Sequence, residues 1–420
     1  MVYEPGTVNR ARFAAALASA GILAHAFLVP ISIAGMQIAL AVAAAGVLLS
    51  PPRPLRTALD APVLAFVAVA IASDLISPYG VPPLAMATLW RSVLGFFVVA
   101  HALRLLPREA ALRAVYFACA GVSLASSVAI AQYWTGVDVV HLLGLRAAPA
   151  FVVAPGSPER FGAMGFFISR LTYGHNTSLL VACFGGLLAA GAIPRRRIWI
   201  VAGASALGLF GIALTFDRSA YLAICATALI VAALAAPATR RVLLPATAAL
   251  LLLAAFHEGV RGRFITSFSI ASNSDRAFIW ARALEMIRDH PIAGVGFANY
   301  AKACAPYYDR VDPAFPMRTW AHNLELSALA EMGPLGLGAL VWLVVAAFRA
   351  LFRGLRCGRP QAMGGLAALT AWLVIGQAHD VLYDTKVMYA LWLALGISLS
   401  PARTSETALP PASDPAAPRA

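Results

Sequence analysis

The sequence predicts an all-α polytopic membrane protein, with about twelve transmembrane helices and a partly helical loop between the ninth and tenth. Three observations predict it. Of the 420 residues, 60% are hydrophobic and only 12% charged, and the mean hydropathy is +0.77, outside the range of soluble globular domains. Apolar runs long enough to cross a hydrocarbon core as helix recur along the chain. The arginines of the short connections fall in alternate loops, as the positive-inside rule requires of spans that alternate in direction.

The spans lie near 13–29, 31–50, 60–77, 86–104, 112–134, 173–193, 198–214, 219–236, 242–256, 324–347, 362–379 and 382–400. The first is followed at once by further spans, so it reads as a retained helix rather than a cleaved signal. Arg10 and Arg12, Arg53 and Arg56, Arg104 to Arg113, Arg195 to Arg197, Arg240 and Arg241, Arg349 to Arg359 and Arg403 all fall on one side. That side is the cytoplasm, and it holds both termini. Residues 1–400 form a single transmembrane domain. Two long segments, about 135–172 and 257–323, lie on the opposite face. Residues 401–420 are polar and rich in Pro and Ala, and read as a disordered cytoplasmic tail.

The net charge of +13 is therefore mostly topology and does not call for nucleic acid. Basic residues such as Arg146, Arg160, Arg170, Arg276 and Arg318 also crowd the two long segments. A solvated basic loop explains their charge alone; a surface that handles anions explains it equally well. Five scattered cysteines, with no CxxC pair, give neither a disulfide framework nor a metal site. No repeat and no pair of broken helices marks a transporter.

Polar clusters gather where helices should begin on the outer face. "TFDRSAYLA" places Asp217, Arg218 and Ser219 at the mouth of the eighth span. "SNSDRAFIWARALEMIRDHP" begins a helix in the second long segment, with Asn273, Ser274 and Asp275 as caps and Pro291 as the stop. Its residues Ala277, Trp280, Ala281, Leu284 and Ile287 share a face, for packing over the spans or along the membrane surface. "TYGHN" brings His175 and Asn176, and "WAHN" brings His322 and Asn323, to two further helix starts. An arginine at a helix N-terminus is mildly unfavourable alone, and becomes sensible when an anion is shared with the unpaired N–H groups. The alternative for Arg218 or Arg276 is an interface arginine reaching lipid headgroups. Among eight histidines, His322 is the best general-base candidate and His175 the second; His25 and His101 read as satisfied core residues. Glu331, about two and a half turns below His322, is expected to pair with a polar group or helix end, and Glu325, one turn away, to set the His322 tautomer or pKa. "GVGF" at 294–297 has no βαβ context and is no nucleotide loop.

"DRAFIWARALEMIRDHPIAGVGFANY" followed by "AHNLELSALAEMGPLGLGAL" resembles the hallmark block of the O-antigen ligase and Wzy-type polymerase superfamily. Arg276, Trp280, Asp289, His290, Pro291, Gly294, Gly296, His322, Asn323, Leu326, Leu329, Glu331, Gly333 and Gly336 match its pattern. "LTFDRSAYLA" is similar to the earlier T-x-S-R segment, with Asp217 in place of the usual serine. The resemblance implies a glycosyltransferase of the bacterial inner membrane with a periplasmic active site. It would move a glycan from undecaprenyl diphosphate to an acceptor hydroxyl without cofactor or metal. The catalytic residues would be the base His322 and the diphosphate-binding Arg218 and Arg276. Asn323, His175, Arg170, Arg160 and Arg91 are the expected further substrate contacts. The acceptor is the lipid A core in a ligase and a second lipid-linked repeat in a polymerase; a non-enzymatic polysaccharide transporter is the remaining alternative.

Overall fold

The computed structural model describes residues 5–50, 56–241, 274–309 and 318–400, save 82, 107, 150, 156 and 238, and a few isolated positions between 259 and 265. The ninth predicted span and the tail 401–420 lie outside the described residues.

Eleven of the predicted spans coincide with helices. These are α1 (Pro5–Leu28), α2 (Ile33–Leu49), α3 (Asp60–Ile76), α4 (Pro83–Leu105), α5 (Arg108–Thr135), α7 (Arg170–Ala189), α8 (Ile198–Ala213), α9 (Arg218–Leu234), α13 (Leu324–Arg356), α14 (Ala362–Gly376) and α15 (Thr385–Leu399). Among the described residues, four helices are long and apolar enough to cross a membrane: Arg10–Leu28, Ala111–Thr135, Arg195–Ala213 and Leu324–Arg356. Four more are apolar but shorter: Ile33–Leu49, Arg218–Leu234, Ala362–Gly376 and Thr385–Leu399. The chain is an all-α membrane protein, and twelve remains the expected rather than the observed number of spans.

Its axis is α7, buried on every face from Thr172 to Phe184 and surrounded by α8, α9, α14 and α15. A helix without an exposed face needs partners all round, which is why α7 can carry Thr172, His175, Asn176, Thr177 and Ser178 in one polar stretch. Asn176 Nδ2 donates to Lys386 O at 2.8 Å, tying α7 to the start of α15. The α1–α2 pair is closed by small residues. A Cβ on Gly21 would lie 2.3 Å from Ala43 N, and one on Gly46 would lie 2.3 Å from Ala18 N, so the two backbones meet as small-residue membrane interfaces allow.

The segment after α5 contains a four-residue helix, α6 (Val139–Leu142), and an antiparallel hairpin of β1 (Val153–Ala154) and β2 (Ser157–Phe161) that the helical reading did not foresee. Gln132 fastens this segment to α5, accepting from Met164 N at 3.1 Å and donating to Gly165 O at 2.7 Å. The segment before α13 holds α10 (Ser274–Asp289), α11 (Tyr300–Ala303) and α12 (Ala305–Asp309). The predicted start and stop of α10 stand, but its packing face does not. Ile279, Ala283 and Met286 are the buried residues, whereas Ala277 and Leu284 are exposed. The helix packs on α13 through the stripe one position away from the predicted one, because the neighbouring tyrosines of α11 and α12 fill that side.

One feature of α13 was not legible beforehand. The helix breaks at Gly333 (φ 64°, ψ −167°), followed by Pro334. The stretch 292–296 fits into this break. Val295 N donates to Ala330 O at 2.9 Å and Gly296 N to Glu331 O at 2.8 Å, so carbonyls freed by Pro334 and the kink find new donors. Pressing backbone on backbone leaves no room for side chains: a Cβ on Gly333 would lie 2.0 Å from Ile292 O. "GVGF" is thus a packing element that seats the outer segment on α13.

Candidate active site

Three helix starts and one loop meet at the loop-rich end of the bundle. Asp217 caps α9, its side chain accepting from Ser219 N at 3.0 Å, and this places Arg218 in the first turn. Asn323 caps α13, accepting from Leu326 N at 2.9 Å, and places His322 just outside the helix. Ser169 caps α7, and His175 follows in its second turn. The loop between α14 and α15 supplies His379 and Asp380.

The histidines form a row. The His322 and His379 rings lie 6.1 Å apart, edge to face, and the His379 and His175 rings 4.5 Å apart. His175 Nε2 lies 2.9 Å from Asp217 Oδ2 as an ion-pair contact and 3.1 Å from Ser219 Oγ, which in turn donates to Asp217 Oδ1 at 2.7 Å. Because the serine spends its proton on the carboxylate, the assignment that fits is Nε2–H on His175. Burial alone would raise the Asp217 carboxyl. The charge and hydrogen bond of His175, with His379 and Ser219, overcome it and hold the group below the usual range.

His322 has a left-handed backbone (φ 52°), one of three such non-glycine residues among the described residues. The others are Phe216 (φ 54°), directly before Asp217, and Ala298 (φ 58°), in the outer segment seated on α13. Strain of this kind persists where surrounding contacts over-determine it. For His322 the contact is Asp380, whose Oδ2 accepts from His322 N at 2.8 Å and lies 4.0 Å from Nδ1. Its Oδ1 accepts from Ser327 Oγ. Burial raises the Asp380 carboxyl to about 6, against the opposing pull of the Ser327 and His322 hydrogen bonds. Burial, then the charges of Arg276 and Arg318, lower His322 from its ordinary value. A neutral imidazole at neutral pH is a proton acceptor.

Arg276, in the first turn of α10, faces the same place. Burial and the like charge of Arg218 lower its pKa, and the Asp217 carboxylate acts in the opposite sense. The charge of Arg218 therefore acts on Arg276, and that of Arg276 on His322. Two partly buried guanidiniums held within reach of each other repel, and an anion between them removes that cost.

The remaining predicted residues are placed as follows. His175 joins the cluster through Asp217. Asn323 spends its side chain on the α13 cap and, at 3.5 Å, on Gln377 O. Arg170 Nη1 donates to Thr215 O at 2.7 Å and pins the start of α7 beside α9. Arg160 lies over the Trp134 ring at 4.2 Å, out on the hairpin. Arg91 turns its Nε to Ala87 O at 3.2 Å on an exposed face of α4. Glu325 accepts from Gln377 Nε2 at 2.9 Å, and the group on His322 is Asp380 instead. Glu331 is fully buried and its Oε1 accepts from Tyr300 N at 3.2 Å, so it caps the start of α11, the helix-end partner expected of it. Among the described residues, His175, Asp217 and His379 also present ligand atoms within 4.8 Å of one another, a donor set able to hold a metal that the sequence reading did not find. The guanidinium of Arg276, whose charge reaches both Asp217 and His379, opposes a cation there.

An apolar cavity of about 410 Å³ is lined by Trp320 and Tyr383, close in the chain to His322 and Asp380, and by Phe66, Trp372 and Trp392 among α3, α4, α14 and α15.

Fold and site together define a membrane protein with basic and histidine side chains gathered at one end of its bundle, and an apolar cavity among its helices. Residues 203–343 match the family model described as O-antigen ligase, a segment that contains Arg218, Arg276, His322 and Glu331. That segment, about a third of the chain, is similar to the family, which is consistent with an O-antigen ligase/Wzy-type protein. No curated protein matches the chain.

Proposed function

We propose that this protein is a glycosyltransferase that moves a glycan from undecaprenyl diphosphate to an acceptor hydroxyl at the periplasmic face of the inner membrane, with the lipid A core as acceptor. The observation that carries the reading is that two partly buried arginines and a histidine of lowered pKa influence one another, while Trp320 and Tyr383, from the same two loops as His322 and Asp380, line an apolar cavity. That arrangement suits an amphiphile with a diphosphate head and a prenyl chain. Arg218 and Arg276 hold the diphosphate oxygens. The acceptor oxygen attacks the anomeric carbon as the bond from that carbon to the diphosphate oxygen breaks, and the electron pair leaves with the diphosphate. His322 takes the acceptor proton. The two guanidiniums stabilise charge that grows on the leaving group, and the diphosphate bond supplies the driving force. Asp380 fixes His322 through its backbone N–H, and the cavity takes the first units of the prenyl chain.

Deletion followed by gels of lipopolysaccharide and lipid-linked glycan tests this. Loss of the ladder from the core, with polymer retained on undecaprenyl diphosphate, supports ligation. Single repeats left on the core assign the same chemistry to polymerisation. Unchanged ladders overturn both.

A further inference from the structure

A second cavity, of about 260 Å³, lies at the other end of the bundle. Its floor is apolar, made by Phe96 and Ala100 of α4 and Leu395 and Leu399 of α15. Its rim is cationic: Arg104 at the end of α4, Arg353 near the end of α13, and Arg359 in the turn before α14. No acid lines it among the described residues. Arg104 is steered by its own bond, Nη1 to Arg56 O at 2.8 Å, and a guanidinium has further N–H groups to offer. Asp60, the carboxylate whose charge reaches Arg104, already accepts from Thr57 N at 2.8 Å and from Thr57 Oγ1. Leu395 lines both cavities, and Ala58 of the small one adjoins Leu59 of the large one. The two therefore follow a single seam along α4 and α15.

Topology accounts for arginines in these loops. It does not account for three guanidiniums converging on a groove with an apolar floor. We propose that this groove is a seat for an anionic phospholipid of the arginine-rich leaflet, with its phosphate against Arg104, Arg353 and Arg359 and one acyl chain in the α4–α15 seam. Charge complementarity selects the occupant. A zwitterionic lipid would place its own ammonium among three cations, and a free phosphate would leave the apolar floor uncovered. The seat is remote from the histidine cluster. Leu324 and Arg353 stand 29 positions apart in α13, on opposite sides of the break at Gly333. The lipid would fill the lower seam and hold α15 against α4.

The test uses the purified full chain in detergent, with dioleoyl phosphatidylglycerol, dioleoyl phosphatidylcholine or inorganic phosphate added. Thermal unfolding and native mass spectrometry are the readouts. Phosphatidylglycerol should raise the melting temperature and stay bound, while phosphatidylcholine and phosphate do neither. Arg104→Gln, Arg353→Gln and Arg359→Gln should each weaken phosphatidylglycerol binding about fivefold, and the triple variant should lose the preference. Equal retention of the two lipids, a preference that survives in the triple variant, or a phosphate effect equal to that of the lipid overturns the proposal. Arg353 is exposed at a helix end, so Arg353→Gln gives a folded variant should the triple fail to insert; unchanged affinity in it also overturns the proposal. The outcome is independent of glycan transfer.

Discussion

Replacing Gly333 by alanine tests how the outer segment is joined to the bundle. The residue has φ 64° and ψ −167°, a region that only glycine occupies at ease, and forcing alanine into it costs about 1–3 kcal/mol. The added Cβ would also lie 2.0 Å from Ile292 O. The obstacle is backbone, so relief means moving the stretch 292–296 away from Ala330 and Glu331, a further cost of about 1–3 kcal/mol on the scale of overpacking. The expected loss is about 2–6 kcal/mol in the unfolding free energy of the purified protein in micelles. Gly338 is the control. It lies in the same helix with nothing within 4 Å of its would-be Cβ, so Gly338→Ala should be neutral or more stable by up to about 1 kcal/mol. Because the same contact seats the segment that carries Arg276 on the helix that positions His322, Gly333→Ala should also lose transfer in whatever fraction folds. A Gly333→Ala protein within about 1 kcal/mol of wild type would refute this reasoning.

Three further outcomes follow from the site. His322 acts as a base only when neutral, and its pKa is lowered, so transfer should rise with pH through an apparent pKa below 6.5 and then level; Asp380, ionised above about 6, shifts the rate in the same direction, and an acid limb centred above 7 would contradict both. Glu331→Gln keeps an acceptor for Tyr300 N and should leave transfer intact, whereas Glu331→Ala strands that buried N–H at a cost of about 1–3 kcal/mol in unfolding experiments; equal stabilities would remove the capping role. An impermeant thiol reagent, added after outer-membrane permeabilisation, should label Ile292→Cys and not the native exposed Cys357; labelled wild type would reverse the orientation.

Much of this was legible because it depends on local rules. Apolar length located eleven helices, and the polar clusters around Asp217 and Asn323 marked two helix starts, which those side chains cap. Those caps carried Arg218 and His322 to the same end of the bundle. What was missed depends on contacts distant in sequence. Asp380 is 58 residues from His322, and the α14–α15 loop brings it there. Gly333 reads in sequence as one glycine among several in an apolar run; its break shows only once the 292–296 backbone lies against it. The face of α10 was misjudged by one position because aromatic residues of α11 and α12, rather than lipid, cover its inner side.

The most direct measurement is the transfer rate of His322→Ala, reconstituted in vesicles with an undecaprenyl-diphosphate glycan and a lipid A-core acceptor. The account predicts a fall of about a hundredfold or more, with donor binding retained through Arg218 and Arg276. A variant that transfers at the wild-type rate would contradict it.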